Sequence, residues 1–130
     1  TRCVTWISKH GKIYSTTLNQ MEAYKTEPCT LSAFIHFCTV CDERRCVNGE
    51  WVKTNRRRSF SIWDGKKSTR YEILNIVLDA HDIVFHLKTE NGLVYKSFSI
   101  YYCGWAWDTY GMMTFIHRDG NGETEEWNIS

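Results

Sequence analysis

Proline is nearly absent from this chain: its 130 residues contain one, Pro28. No internal repeat, low-complexity stretch or linker divides the sequence, so one domain spanning residues 1–130 is the expectation. No apolar run approaches the roughly 18 residues of a membrane-spanning helix. Charge of one sign is lacking as well. The net charge is +1, which gives no global field to attract nucleic acid or acidic lipid. Arg56-Arg57-Arg58 is the only dense basic run, and a solvated loop explains it without a nucleic-acid partner. No nucleophile motif and no phosphate-binding loop occurs. The chain starts without Met or a signal peptide, and reads as a mature or trimmed extracellular segment.

What is present points to β structure. Trp, Tyr, Phe, Ile and Thr are abundant, and these side chains suit pleated, half-buried surfaces. A strand is expected at residues 12–18, and only 19–27 reads as a helical turn. The apolar run Leu31–Val40 reads as a buried strand. Residues 41–49 read as a polar loop, and Trp51-Val52-Lys53 begins another strand. Further strands are expected at Ser59–Trp63, Tyr71–Leu78 and Ile83–Leu87, with a long one from Leu93 to Cys103 and the last at Met112–Ile116. Asp64-Gly65, Asn91-Gly92 and Asp119–Gly122 supply the turns between them. Eight or nine short strands with almost no helix describe a sandwich or a barrel.

Six cysteines (Cys3, Cys29, Cys38, Cys41, Cys46 and Cys103) are an even number and many for a reducing compartment. Asn128-Ile129-Ser130 is an N-glycosylation sequon. Together they favour the secretory pathway or the cell exterior. His36, Cys38, Cys41 and Cys46 have the donor types of a zinc site, but in an oxidising compartment disulfides are expected to claim the cysteines. No metal or cofactor is expected. Glu72, His81, His86, His117 and Arg118 form an acid–base set of ribonuclease type. No spacing ties a base to an acid among them, so catalysis is not expected.

Four residues carry a family likeness. Trp51 follows Cys38 by 51 − 38 = 13 positions, Cys103 follows Trp51 by 103 − 51 = 52, and Tyr101 stands two before Cys103. With Phe37-Cys38-Thr39-Val40, Ile100-Tyr101-Tyr102-Cys103 and Tyr110-Gly111-Met112-Met113-Thr114-Phe115-Ile116, residues 29–118 resemble a divergent variable-type (V-set) immunoglobulin domain. Residues 1–28 then form an N-terminal extension with the strand A region, and 119–130 a C-terminal segment.

The resemblance implies an all-β immunoglobulin-like sandwich with a Cys38–Cys103 bridge, Trp51 packed on it and Tyr101 at the corner. Cys3, Cys29, Cys41 and Cys46 would supply additional disulfides in one of three pairings. It also implies recognition of another protein. Trp105, Trp107 and Tyr110, in the stretch equivalent to the third hypervariable loop, are the candidate contacts, with Arg56, Arg57 and Arg58 supplying charge. The favoured owner is a viral immune-evasion glycoprotein, of the kind cytomegaloviruses use, engaging MHC class I or a related immune receptor. The alternatives are a host immune or adhesion receptor, a secreted disulfide-bonded pathogen effector, and a small-ligand-binding barrel.

Overall fold

Tight turns between neighbouring strands decide the topology. A computed structural model describes residues 3–17, 30–39, 43–54, 56–107 and 113–130. The expected turn at 19–27 lies outside these residues. In chain order the elements are β1 (Cys3–Ile7), β2 (Ile13–Thr17), α1 (Leu31–Thr39), β3 (Glu43–Val47), β4 (Glu50–Thr54) and β5 (Ser59–Trp63). They continue as β6 (Ser68–Asp79), β7 (Asp82–Thr89), β8 (Gly92–Ser99), β9 (Cys103–Trp107), β10 (Met113–Arg118) and β11 (Thr124–Ile129). Among the described residues all strand pairings are antiparallel, and the fold is all-β with one short helix.

β5-β6-β7-β8 form a four-stranded meander, β11-β10-β9-β1-β2 a five-stranded sheet, and β3-β4 a separate ribbon. The meander is closed by local chemistry. Asp64 Oδ1 accepts the backbone N–H groups of Lys66 and Lys67 at 2.8 Å each between β5 and β6. Those bonds hold the Asp64 carboxyl below its ordinary pKa. Thr89 Oγ1 accepts the Asn91 N–H at 3.1 Å between β7 and β8, and Gly92 follows with φ 119°.

Two backbone hydrogen bonds join the sheets, Ser59 N–H to Ser130 O at 3.1 Å and Ser130 N–H to Ser59 O at 3.0 Å. Beyond that seam their inner faces share one aromatic core. Phe85, Phe115, Trp105, Trp127 and Phe34 have no more than 1% of their surface exposed. Phe85 meets Phe115 and Trp127 edge-on, with ring centroids 5.0 and 4.9 Å apart, and Trp127 stacks on Phe60 at 4.1 Å. β1 and β11, expected as outlying segments, are integral strands of this core.

The 31–40 region departs from expectation. It is the helix α1, where a buried strand was expected. Thr30 caps it, its Oγ1 accepting the Ala33 N–H at 3.1 Å. Leu31, Phe34, Ile35 and Cys38 follow i, i+3, i+4, i+7 spacing and place one apolar face on the core. Phe34 stacks on Trp105 at 5.6 Å and on Phe115 at 5.9 Å. A short apolar run fits either element by length alone, and here the cap and the spacing favour the helix.

The long strand expected from Leu93 to Cys103 is broken at residues 100–102, which carry the chain from one sheet to the other. The Ile100 N–H bonds to His81 O and the Tyr102 N–H to Ile7 O, each at 2.7 Å. Tyr102 takes the left-handed conformation at φ 69°. The Tyr101 hydroxyl lies 3.1 Å from His81 Nδ1, tying the corner to the β6–β7 turn. Tyr101 thus does hold a corner, but one between β8 and β9.

Three features of the immunoglobulin arrangement are therefore absent. The residues expected as strand B form a helix. Those expected as strands E and F pair in one hairpin, β7–β8, where the family needs an arch between two sheets. Trp51 stands on the ribbon with 73% of its surface exposed, far from a core position.

Candidate functional site

Chemistry on this surface concentrates where the meander turns its outer face to solvent. Cross-strand partners share a face, so the register sets out rows across β6, β7 and β8. They run Glu72-Lys88-Leu93, then Asn75-His86-Tyr95, then Val77-Val84-Ser97. A register shift between Ile73 and Asn75 puts Asn75 opposite His86.

Leu93 and Tyr95 are 63% and 62% exposed. His86 and Tyr95 meet edge-on with ring centroids 4.8 Å apart, which fixes the tyrosine ring against the sheet. Val77 and half-buried Val84 extend the apolar surface. At one margin Arg70 Nη1 donates to Glu72 Oε1 at 2.8 Å and Arg70 Nε to Ser59 Oγ at 3.1 Å. An open cleft of about 430 Å³ lies there, lined by Ser68, Arg70, Glu72, Lys88, Thr89 and Glu90. Lys67 Nζ sits 3.0 Å from Glu90 Oε1, and that hydrogen bond raises the lysine pKa. The result is an aromatic and aliphatic patch with a polar margin, the composition of a protein contact surface.

The residues expected at a binding site are scattered. Trp105 is fully buried between Phe34 and the β10 strand, so it is a core residue and not a contact. Trp107 ends β9, but its side chain and Tyr110 lie outside the described residues. Arg56 is exposed. Arg57 Nη1 donates to Leu74 O at 3.2 Å, and the Arg58 guanidinium stacks 3.9 Å above the Phe37 ring. The last two therefore fasten the start of β5 to the body.

The cysteines also depart from expectation. Cys103 is a free thiol, buried, and donates to Ser99 O at 3.1 Å, so the implied Cys38–Cys103 bridge is not formed. Burial pushes the Cys103 pKa up to about 12. Cys46 is a free, exposed thiol on β3, whereas an additional disulfide was expected. The pairing of Cys29 and Cys41, and the side chain of Cys3, fall outside the described residues. Cys38 is buried on α1 while His36 is exposed on the same helix, which separates two of the four zinc candidates. Among the described residues no group of three His, Cys, Asp or Glu is placed to hold a metal.

The acid–base candidates are divided as well. Glu72 and His86 share the meander's outer face. His117 and Arg118 lie on β10 in the other sheet, where Arg118 stacks 5.5 Å from the Trp6 ring and buried His117 Nε2 has no hydrogen-bond partner. His81 bonds the corner tyrosine. Asn128 is exposed on β11, with its Oδ1 3.3 Å from Thr114 Oγ1.

Sequence reasoning missed the Leu93–Tyr95 patch. The alternation from Gly92 to Ser99 signals it, since each outward position on that strand can be read two residues apart. No family model, no curated protein and no solved structure matches this chain.

Proposed function

We propose that the chain is a non-catalytic recognition domain that binds another protein through the outer face of β6, β7 and β8. The observation that carries this reading is the exposure of Leu93 and Tyr95 on a strand whose alternate residues, Val94, Lys96 and Phe98, are half-buried. A solvated sheet face normally alternates apolar-in and polar-out. Here Leu93, Tyr95, Val84 and Val77 break that rule on the outward side, with the tyrosine fixed by His86. Tyrosine set in an apolar patch is a frequent hot spot, since it covers much area for little entropy.

An extracellular location belongs to this proposal. The sequon at Asn128, exposed on β11, supports it, and the thiols of Cys46 and Cys103 lend it nothing. The narrower reading, a viral immune-evasion glycoprotein engaging MHC class I, drew on the Cys38, Trp51 and Cys103 set. With Cys103 a free thiol and Trp51 exposed on the ribbon, its remaining support is the general one for protein recognition.

The test is affinity capture of labelled cell-surface proteins by the native chain and by a Leu93→Asp, Tyr95→Ala variant. Both positions are exposed, so the variant should fold. Loss of a captured protein, at about thirtyfold or more in affinity for a hot spot of this type, is the expected result. A protein captured equally by both would place the contact on another face.

A further inference from the structure

The β3–β4 ribbon is built unlike the rest of the molecule. It pairs with neither sheet. Its turn, Asn48-Gly49, has positive φ at both positions, 53° and 82°, the geometry that matches the twist of a two-residue hairpin. An isolated two-stranded ribbon is marginal in water without such a turn or a surface to rest on.

Cross-strand register separates its two faces. Trp51 lies opposite Cys46 on one, while Val47 and Val52 share the other with Glu50. Each face carries exposed apolar side chains: Trp51 is 73% exposed, Val47 48% and Val52 44%. Charge is concentrated in the same stretch. Residues 43–58 contain six basic residues (Arg44, Arg45, Lys53, Arg56, Arg57, Arg58) and two acidic ones (Glu43, Glu50), a net of 6 − 2 = +4. The rest of the chain then carries 1 − 4 = −3. Of the six, Arg44, Arg45 and Lys53 lie on the ribbon, a net of 3 − 2 = +1, and Arg56, Arg57 and Arg58 follow at its base, so the near-neutral total conceals a basic stretch made by the ribbon and its base together.

We propose that this ribbon docks the protein on a lipid surface bearing anionic headgroups. Basic residues near such a surface gain from its negative potential, and tryptophan favours the boundary between headgroups and acyl chains, where its ring is covered and its N–H stays wet. The exposed apolar side chains on both faces distinguish lipid from other anions. A nucleic-acid strand or a sulfated polysaccharide meets one face and leaves the other apolar side chains in water. A bilayer interface surrounds the tip and covers Trp51, Val47 and Val52 together. Glu50 beside the turn limits the insertion to headgroup depth. The anchors of Arg57 and Arg58 on the body transmit the contact to the fold. This site is separate from the outer face of the meander, so either proposal can fail alone.

The test is sedimentation of the whole chain with phosphatidylcholine vesicles, with and without phosphatidylserine. Heparin and a single-stranded oligonucleotide serve as competing ligands in separate arms. Binding should require phosphatidylserine and weaken as salt is raised. Trp51→Ala should lower it about tenfold or more, and the pair Arg45→Gln, Lys53→Gln roughly thirtyfold. Trp63→Ala, at a residue equally open (66% exposed) on β5, should leave it unchanged. Equal binding to both vesicle types, native-like binding by Trp51→Ala, or tighter binding to heparin or the oligonucleotide than to phosphatidylserine vesicles would overturn the proposal.

Discussion

Trp105 and Trp51 are the same side chain in opposite circumstances. Trp105 is sealed between α1 and the five-stranded sheet, with none of its surface exposed, and Trp51 stands on the ribbon with 73% in solvent. The difference comes from the elements that carry them. β9 lies inside a sheet whose inner face meets a second sheet and a helix, so each inward residue there is covered from two sides. Among the described residues β4 pairs only with β3, and a two-stranded ribbon outside the layers leaves Trp51 in solvent. Burial follows from layering more than from residue type.

Substitutions should separate the two regions sharply. Trp105→Ala removes a ring stacked on Phe34 and should cost about 3–5 kcal/mol in denaturant unfolding. A loss below about 1 kcal/mol would mean the sheets and helix do not close over that position.

The next effect is a pH dependence located in the core. Cys103 is protonated in both states below its ordinary pKa of 9.0, and its contribution to stability is complete there. Above that pH the unfolded thiol ionises while the buried one, raised to about 12, does not, so stability falls across this window. Thermal melts should show a steeper alkaline decline for the native chain than for Cys103→Ala. Parallel declines would place the thiol in contact with water.

Trp51→Ala should produce the smallest change, within about 0.5 kcal/mol, because most of its surface is already in solvent. A large loss of stability would show that the ribbon rests on the body after all.

Much of the meander was legible because its turns are local. Asp64-Gly65 falls between β5 and β6, Asn91 lies in the β7–β8 turn with Gly92 opening β8, and Ser59–Trp63 has the expected bounds; in the other sheet the Asp119–Gly122 turn falls between β10 and β11. The misreadings have physical causes. The apolar run at 31–39 contains too few residues for period alone to separate strand from helix, and Thr30 at its start was the deciding signal. Residues 41–49 were read as a loop because charge and cysteine masked a strand ending in Asn48-Gly49. The pair Cys38 and Cys103 matched a spacing pattern, but spacing does not say which elements are involved; Cys38 lies on a helix, and the ribbon and the whole meander occupy the interval. The binding residues were harder still. Exposure of Tyr95 and burial of Trp105 depend on which sheet covers which, a property of the assembled layers.

The most direct measurement concerns Cys103. Unfolding the protein in the presence of an alkylating agent, without reductant, followed by peptide mapping, reads the state of each thiol. Recovery of Cys103 as an alkylated residue is the predicted result. A peptide joining Cys38 to Cys103 through a disulfide would contradict the free thiol at Cys103.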